Sequence, residues 1–234
     1  MKNKTVVVLL PALNEEETIG KVIDEIPFKK LENEGYNVKV VVANGHSTDK
    51  TAEIAKKKGA IVYNVPIGKA RGVKRALELI DFNYDYLVML DSDYTYPPEY
   101  IYDIVKALEK YDVVIGSRLK GKIENGAMSK VNKLGNFGLT LLATILYGMK
   151  ISDLCTGMWG FRKYVLESIK IDADGFDLEA NFYTEIVKKG FNIGEIVINY
   201  RKRPNKPKLG GGNPLGAIKT GLMIGWYLVK KRFD

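Results

Sequence analysis

The sequence predicts an α/β fold built on a doubly wound, mostly parallel sheet. Short runs rich in Val, Leu and Ile alternate with segments of helical period through the first half of the chain. Such near-continuous apolar runs suit strands whose sheet is covered by helices on both faces. Alternation of strand and helix implies parallel pairing through right-handed crossovers, and capping residues or proline mark the helix starts. These observations together predict a Rossmann-like sheet.

Five strands are expected in this half, each an apolar run that ends in a polar or glycine-containing turn. They are Val6 to Leu10, Val38 to Ala43, Ile61 to Val65, Tyr86 to Leu90 and Val113 to Gly116. The expected helices have recognisable starts. They run from Asn14 through Ile26, from Ser47 and Thr48 through Lys58, and from Pro97-Pro98 through Lys110.

The second half has a different rhythm. A polar, glycine-rich loop at 120–128 precedes an expected helix from Asn136 to Met149, and an aromatic, glycine-rich stretch follows. Later come an expected helix from Leu178 to Lys189, a strand from Ile193 to Tyr200 and a last helix from Pro214 to Phe233. The apolar segments Phe137 to Met149 and Leu222 to Val229 are shorter than the roughly 20 residues that cross a bilayer. Neither is expected to span a membrane.

The last helix has two interpretations. It carries Trp226 and Tyr227 and then Lys230, Lys231 and Arg232, a pattern that favours an amphipathic helix lying in the headgroup layer of a membrane. The other interpretation is a terminal helix that packs on the protein core. The sequence supports both.

Composition limits the function classes. The 234 residues suit one large domain, or a domain with an appendage, and 36 Lys and Arg against 28 Asp and Glu give a net charge of +8. A basic surface attracts anionic lipid, phosphorylated small molecules or nucleic acid. Cys155 is the only cysteine and His46 the only histidine, so an internal disulfide is excluded and a Cys–His catalytic pair is not favoured. A reducing compartment is expected.

Two carboxylates follow the fourth expected strand. In open α/β sheets, ligands bind at the carboxyl ends of the strands, where Asp91 and Asp93 are placed. Their spacing puts both on one side if the strand continues, and two oxygen donors there suit Mg²⁺ or Mn²⁺ carrying a diphosphate. The alternative is an ordinary turn made of Asp, Ser and Asp. The position at a strand end favours the metal interpretation.

Several motifs resemble those of family-two glycosyltransferases of the GT-A fold, especially dolichyl-phosphate mannose and glucose synthases, over nearly the whole chain. They are Pro11-Ala12-Leu13-Asn14-Glu15, Ser47-Thr48-Asp49-Lys50-Thr51, Gly68-Lys69-Ala70-Arg71, and Asp91-Ser92-Asp93 followed by Pro97-Pro98-Glu99. The resemblance implies a donor site and two metal ligands, Asp91 and Asp93. The implied donor-binding residues are Pro11, Ala12, Leu13, Asn14, Glu15, Asn44, His46, Gly68, Lys69 and Ser92.

One departure concerns the nucleotide. Where the family usually has Asp-Asp-Gly, this chain has Asn44-Gly45-His46, so the usual base-contacting aspartate is missing. Asn44 can still hydrogen-bond a base, and His46 is either a donor-pocket residue or part of a turn. GDP-mannose, UDP-glucose and UDP-N-acetylglucosamine all remain open as donors.

Further matches imply an acceptor that carries phosphate. They lie in Gly116-Ser117-Arg118, in Lys133-Leu134-Gly135-Asn136, and in Tyr200-Arg201-Lys202-Arg203 leading to Lys208. The resemblance assigns Arg118, Lys133, Asn136, Arg201 and Lys208 to the acceptor phosphate, and Arg forks match phosphate oxygens well. The alternative for the lysines near the end is a solvated basic loop.

Another motif of the family appears with one change. It reads Asp153-Leu154-Cys155-Thr156-Gly157-Met158-Trp159, with Trp159 where Arg is common, which would move an acceptor contact or place a ring near the sugar or lipid. Glu179 matches an acidic position of related enzymes and is a candidate for contacts to sugar hydroxyls.

The resemblance implies inverting, metal-dependent transfer of a hexose to dolichyl or polyprenyl phosphate, supplying lipid-linked sugar for protein glycosylation. The catalytic residues would be Asp91, Asp93, Asp153 and Arg203. The phosphate acceptor is already ionised, with a second pKa of about 6, so Asp153 would orient it or accept a proton without being an obligatory base.

Residues 1–213 would form the catalytic domain, divided into donor (1–118) and acceptor (119–213) halves. Residues 214–234 would attach it peripherally to the cytoplasmic face of the membrane.

Other functions remain open or are disfavoured. A hydroxyl acceptor, such as diacylglycerol or a sugar, would need a base such as Asp153. A non-catalytic basic membrane adaptor would have no use for Asp91 and Asp93, and no nucleic-acid partner is expected. A nucleotide-sugar pyrophosphorylase or a dehydrogenase needs a glycine-rich loop after the first strand, which this chain lacks.

Overall fold

The computed structural model describes residues 4–204 and 214–234. Within them, one seven-stranded sheet has the order β3-β2-β1-β4-β6-β5-β7. The strands are β1 Lys4–Ala12, β2 Tyr36–Asn44, β3 Ile61–Asn64, β4 Tyr86–Met89, β5 Val113–Ser117, β6 Trp159–Arg162 and β7 Ile193–Val197. The five strands expected in the first half are confirmed, and the α/β, mostly parallel sheet is as predicted.

Helices cover both faces of the sheet. They are α1 Ile19–Asp24, α2 Phe28–Asn33, α3 Thr51–Lys57, α4 Lys69–Leu79, α5 Ile101–Ala107, α6 Lys130–Tyr147, α7 Lys163–Ser168, α8 Leu178–Lys188 and α9 Pro214–Phe233. A 3₁₀ turn at Pro98–Tyr100 leads into α5, as its two prolines predict. None of the described helices is long and apolar enough to cross a bilayer.

β6 is an antiparallel strand that the sequence did not reveal. It pairs with β4 on one side and β5 on the other, and Trp159 is opposite both Met89 and Ile115. Gly160 hides the strand pattern, yet a Cβ there would overlap Ile104 of α5. Because β6 runs against its neighbours, its first residue lies at the edge where β4 and β5 end.

Two predicted helix starts are wrong. Asn14 does not cap a helix: it has a positive φ of 53°, its side-chain oxygen accepts a hydrogen bond from Thr48 N at 2.8 Å, and α1 begins only at Ile19. At α3, Asp49 and not Ser47 or Thr48 accepts from the first-turn amide, that of Thr51, at 2.9 Å. In both places the polar side chains tie the β1 and β2 ends together.

α6 is longer than its apolar run. Ser129 caps it by accepting from Asn132 N at 3.1 Å, and Gly148 ends it in a left-handed conformation. The first turn carries Lys130 and Lys133, and these charges concealed the true start. The last strand is shorter than predicted, since β7 ends at Val197.

Trp159 belongs to the core. It is fully buried, it stacks on Phe161 with ring centroids 5.9 Å apart, and its indole N–H donates to Thr156 O at 2.6 Å. The prediction of a ring near the sugar or lipid is therefore wrong for Trp159, because its ring lies among the packed side chains on one face of the sheet.

α9 packs on the protein core. Ile224 and Leu228 are buried in the same core cluster as Trp159, and Tyr147 of α6 donates a hydrogen bond to Leu228 O at 2.9 Å. Asp172, just before α8, accepts from Tyr227 at 2.8 Å and pairs with Lys231. One side of α9 thus docks on α6 and the neighbourhood of α8.

Candidate active site

A large cavity of about 990 Å³ opens at the edge where the parallel strands end. The β1 end, the turn after β4 and the start of α4 line one part of it, and α6 and α9 line the other. The walls of the first part are polar and charged, whereas those of the second are mainly apolar. Such a site suits a ligand with a charged end and a long apolar end.

Asp91 and Asp93 both line this cavity, although β4 ends at Met89 and neither residue lies in a strand. The turn itself holds them: Ser92 between them donates to Pro11 O at 2.6 Å, which ties the turn to β1. Asp93 Oδ1 accepts from the amide and the hydroxyl of Thr95, at 3.1 and 2.6 Å. The two carboxylates therefore share one wall by turn geometry and not by strand alternation.

Lys69 contacts one of the carboxylates. Its Nζ lies 2.6 Å from Asp91 Oδ1 and 2.7 Å from Oε1 of Glu179 on α8. Burial alone would lower the pKa of Lys69, but the charges of Asp91 and Glu179 outweigh it, so the pKa stands above its ordinary value. Lys69 is a fixed cation at the cavity wall.

Arg203 contacts the other carboxylate. Its guanidinium lies 2.5 Å from Glu15 Oε1 and 3.3 Å from Asp93 Oδ2. Burial and the nearby charge of Asp91 raise the pKa of Asp93 above its ordinary value, although Arg203 acts in the opposite direction. The site therefore holds two neighbouring carboxylates, Asp91 and Asp93, and each of them contacts a cation.

The carboxylate pair suits a divalent ion. Within residues 4–204 and 214–234, no group of three acidic, His or Cys side chains is arranged to hold a metal. Mg²⁺ and its analogues commonly use one or two protein carboxylates, with phosphate and water supplying the other ligands. An added dication would also relieve the repulsion that raises the pKa of Asp93.

Most of the predicted donor residues come together. The cavity wall contains Pro11, Ala12, Leu13, Glu15, Gly68, Lys69 and Ser92. Asn14, Asn44 and His46 lie outside that wall: the Asn44 amide donates to Asn64 Oδ1 at 2.8 Å and accepts from Ser47 N at 3.2 Å, which links the β2 and β3 ends. His46 is exposed, with a positive φ of 59°.

The predicted acceptor residues separate. Arg118 and Asn136 line the cavity, whereas Lys133 points to solvent on α6. Arg201 faces away, since it pairs with Glu25 at 2.7 Å. Lys208 lies outside the described residues.

Asp153 is not accessible in the way that a catalytic base would be. Its side chain is 0% exposed and accepts two parallel hydrogen bonds from the Arg118 guanidinium, each at 2.8 Å, with a third from the Arg118 amide at 3.0 Å. The guanidinium also donates to Cys155 O and lies over the ring of Tyr200, 5.2 Å from its centroid. Asp153 and Arg118 thus form a buried ion pair, and Arg118 is the member that lines the cavity.

Two residues that the sequence did not indicate, Tyr96 and Gly157, shape the cavity wall around Asp91. Tyr96 is fully buried and its hydroxyl accepts from Gly157 N at 2.6 Å. A Cβ on Gly157 would overlap Oδ2 of Asp91 and press on the Tyr96 ring. Gly157 lies within the motif from Asp153 to Trp159, but only the pairing of β6 brings it against Asp91.

Known proteins resemble this chain in sequence and fold. The family model described as Glycosyl transferase family 2 matches residues 7–170. A dolichyl-phosphate hexose transferase of Haloferax volcanii is 34% identical over 217 residues, or 89% of this chain and 90% of that protein. A UDP-N-acetylglucosamine–dolichyl-phosphate N-acetylglucosaminyltransferase of Methanococcus voltae is 28% identical over 225 residues, covering 85% and 86%.

A solved structure shares the fold. It is glucosyl-3-phosphoglycerate synthase from Mycobacterium tuberculosis in complex with Mn²⁺, UDP-glucose and phosphoglyceric acid. The TM-score is 0.69 at 26% sequence identity, and the match covers 95% of this chain and 80% of that one.

Proposed function

The chain belongs to glycosyl transferase family 2, and from this premise we propose that it moves a hexose from a nucleotide-sugar to dolichyl or polyprenyl phosphate. The names of the relatives support a glycosyltransferase acting on dolichyl phosphate. The product would be a lipid-linked sugar for protein glycosylation. GDP-mannose, UDP-glucose and UDP-N-acetylglucosamine are the donors to test.

The observation that carries the proposal is one continuous cavity with two kinds of wall. At one end, Asp91 and Asp93 stand beside Lys69 and Arg203, which suits a diphosphate with its metal ion. At the other, α6 and α9 supply apolar side chains and few charges. A sugar diphosphate at the first end and a phosphorylated lipid at the second would meet between them.

Asp91 and Asp93 would hold Mg²⁺ or Mn²⁺. When bound, the ion supplies positive charge against the diphosphate that leaves the donor. The nucleotide would be lined by Pro11, Ala12, Leu13 and Gly68. Backbone groups of these residues would contact the base, because the Asn44 side chain lies outside the cavity wall.

Two cationic side chains of the protein would also stabilise the charges of the phosphates. Arg203 and Lys69 line the cavity, so they would neutralise donor and acceptor phosphates and bring the acceptor oxygen opposite the leaving group. Attack from that side inverts the anomeric carbon. An ionised phosphate oxygen carries no proton to remove, so the buried Asp153 would position Arg118 instead of acting as a base.

Membrane attachment is part of the proposal. A dolichyl or polyprenyl acceptor resides in a bilayer, so the enzyme would work at the cytoplasmic face as a peripheral protein. Residues 1–118 would serve the donor, 119–213 the acceptor, and α9 would contribute to attachment. The basic balance of the chain favours anionic lipid.

A donor panel tests the function. The three nucleotide-sugars are incubated with Mn²⁺ or Mg²⁺ and a short polyprenyl phosphate, and the released nucleoside diphosphate is measured. Asp93→Ala should abolish release, whereas Asp103→Ala, an exposed carboxylate on α5, should not. Full activity of Asp93→Ala would refute the role of the carboxylate pair.

The acceptor is tested in the same assay with the matching polyprenol, diacylglycerol and free sugars. Transfer to the phosphate alone supports the proposal. Transfer to a hydroxyl acceptor in preference would support the other reaction, in which a base must remove a proton.

A further inference from the structure

α6 exposes a row of large apolar side chains. Leu134, Phe137, Leu141 and Ile145 recur every three or four residues, which puts them on one side of the helix, and Leu134 and Ile145 are 73% and 71% exposed. No charged residue occurs between Lys133 and Lys150. A water-facing helix surface ordinarily carries charges, so this row requires an explanation.

α9 exposes a second row of the same kind. Leu215, Ile218, Leu222 and Trp226 share one side of the helix, and Leu222 and Trp226 are 72% and 69% exposed. The stretch between Lys219 and Lys230 is free of charge. The opposite side of α9 is the one that packs on the core through Leu228.

The two rows lie on neighbouring helices. α6 and α9 pack together, and Gly225 sits where a Cβ would be only 3.6 Å from Leu139 of α6. Both helices also border the catalytic cavity: Ile218, Leu222 and Trp226 are at once exposed and cavity-lining. We name Leu134, Phe137, Leu141, Ile145, Leu222 and Trp226 the α6–α9 face.

Cations flank the α6–α9 face. Lys130, Lys133 and Lys150 stand near the ends of the α6 row, and Lys219 and Lys230 near the ends of the α9 row, all exposed. Neither 130–150 nor 214–233 contains an acidic residue. An apolar strip between exposed cations is complementary to acyl chains under anionic headgroups.

We propose that the α6–α9 face docks on an anionic lipid bilayer, with the cavity mouth turned toward the lipid. Both helices lie in the headgroup layer, so attachment does not depend on α9 alone. A second copy of the chain fits less well, because a symmetric dimer through this face would bring its own cations together.

The proposal deepens the proposed function and rests on it in one respect, that the acceptor is a lipid. With the cavity mouth against the bilayer, a phosphorylated lipid would enter from the membrane side. The donor end, at Asp91 and Asp93, would be reached from the aqueous side. The two substrates would not compete for one entrance.

Vesicle binding tests the proposal without any transfer reaction. Protein is sedimented with phosphatidylcholine vesicles that contain or lack phosphatidylglycerol. Leu134→Glu and Phe137→Glu, both on α6, should each weaken partition into the anionic vesicles by about tenfold or more. Val197→Glu, at an apolar site at the end of β7 that is also more than half exposed, is the matched control and should not. Circular dichroism verifies that each variant is folded.

Tryptophan fluorescence gives a second measurement on the unaltered chain. Its two tryptophans are Trp159, which is buried, and Trp226, which is exposed. Brominated lipids should quench Trp226 and leave Trp159 bright, and Trp226→Phe should remove the quenched component.

Three results would overturn the proposal: unchanged binding of both α6 variants, equal binding to neutral and anionic vesicles, or a dimer in sedimentation that Leu134→Glu dissociates. Transfer assays in detergent separate the two proposals. If the protein is active in detergent but does not bind vesicles, only the docking proposal is refuted. If it binds vesicles but transfers sugar to no acceptor, only the proposed function is refuted.

Discussion

The ammonium nitrogen of Lys69 lies 2.6 Å from Oδ1 of Asp91. The same nitrogen reaches Glu179, so one half-buried cation links the turn after β4 to the first turn of α8. A divalent ion that binds Asp91 must share that carboxylate with Lys69 or displace it.

Lys69→Met should make the fold depend on metal. The buried Glu179 and the partly exposed Asp91 lose their partner, which should destabilise the protein by about 1–3 kcal/mol, and Mn²⁺ should restore part of this loss. The measurement is Tm with and without Mn²⁺, and the rise on adding Mn²⁺ should be larger in the variant than in the parent. Lys74→Met, exposed on the same helix, is the control. An equal Mn²⁺ effect in both proteins would show that Lys69 and the ion do not compete.

Gly157→Ala should disturb Asp91 more than the fold. The added methyl overlaps Oδ2 of Asp91, which is the end of a side chain and can move, and it lies 3.1 Å from the Tyr96 ring, which need shift by only a few tenths of an ångström, so the change in Tm should be modest. Mn²⁺ affinity, measured by electron paramagnetic resonance, should fall by about tenfold or more. Gly160→Ala, which presses on Ile104 instead, should leave Mn²⁺ affinity unchanged. Equal affinity loss in both variants would mean a general packing effect.

Asp153→Asn should lower the free energy of unfolding but leave the rate of sugar transfer nearly unchanged. Removing the charge breaks the buried pair with Arg118, and such a loss typically destabilises by about 3–5 kcal/mol. With a phosphate acceptor, turnover per folded molecule should change by only a few-fold, measured below the lowered Tm. A loss of several orders of magnitude with the fold intact would make Asp153 a base after all.

Cys155 should react only slowly while the chain is folded, although its side chain is partly exposed and lines the cavity. Burial raises the pKa of its thiol from 9.0 to about 12, so at pH 8 the thiolate is about a thousandfold scarcer than in the unfolded chain. Alkylation by iodoacetamide should slow accordingly and become rapid in denaturant. Because the folded pKa is the higher one, the thiol's contribution to stability is complete below about pH 9 and is lost as pH rises toward 12. Cys155→Ser should lessen that alkaline loss.

The sequence predicted the strands in the first half of the chain well, for a local reason. Val6 to Leu10 and Tyr86 to Leu90 are apolar runs whose period and flanking turns specify buried parallel strands without knowledge of distant contacts. The position of Asp91 followed from the strand it terminates. Even there, the alternation argument was wrong in detail, because β4 stops at Met89 and Ser92 holds the turn.

The structure of the second half of the chain depended on contacts between distant residues. Nothing local in Trp159 to Arg162 announces a strand that inserts antiparallel between β4 and β5. Arg201 and Arg203 are two residues apart and equally basic, yet one pairs with Glu25 and the other with Glu15 and Asp93. Only tertiary packing decides which of them enters the cavity.

The reversed direction of β6 has a consequence for where this fold can vary. The segment just before Trp159 emerges among the ends of β4 and β5, and Ile151, Asp153, Leu154 and Thr156 within it are buried. A change of length or charge there would therefore disturb the strand ends and the cavity wall together. Among related sequences, substitutions should be tolerated less in this segment than on the exposed surfaces of α6 and α9.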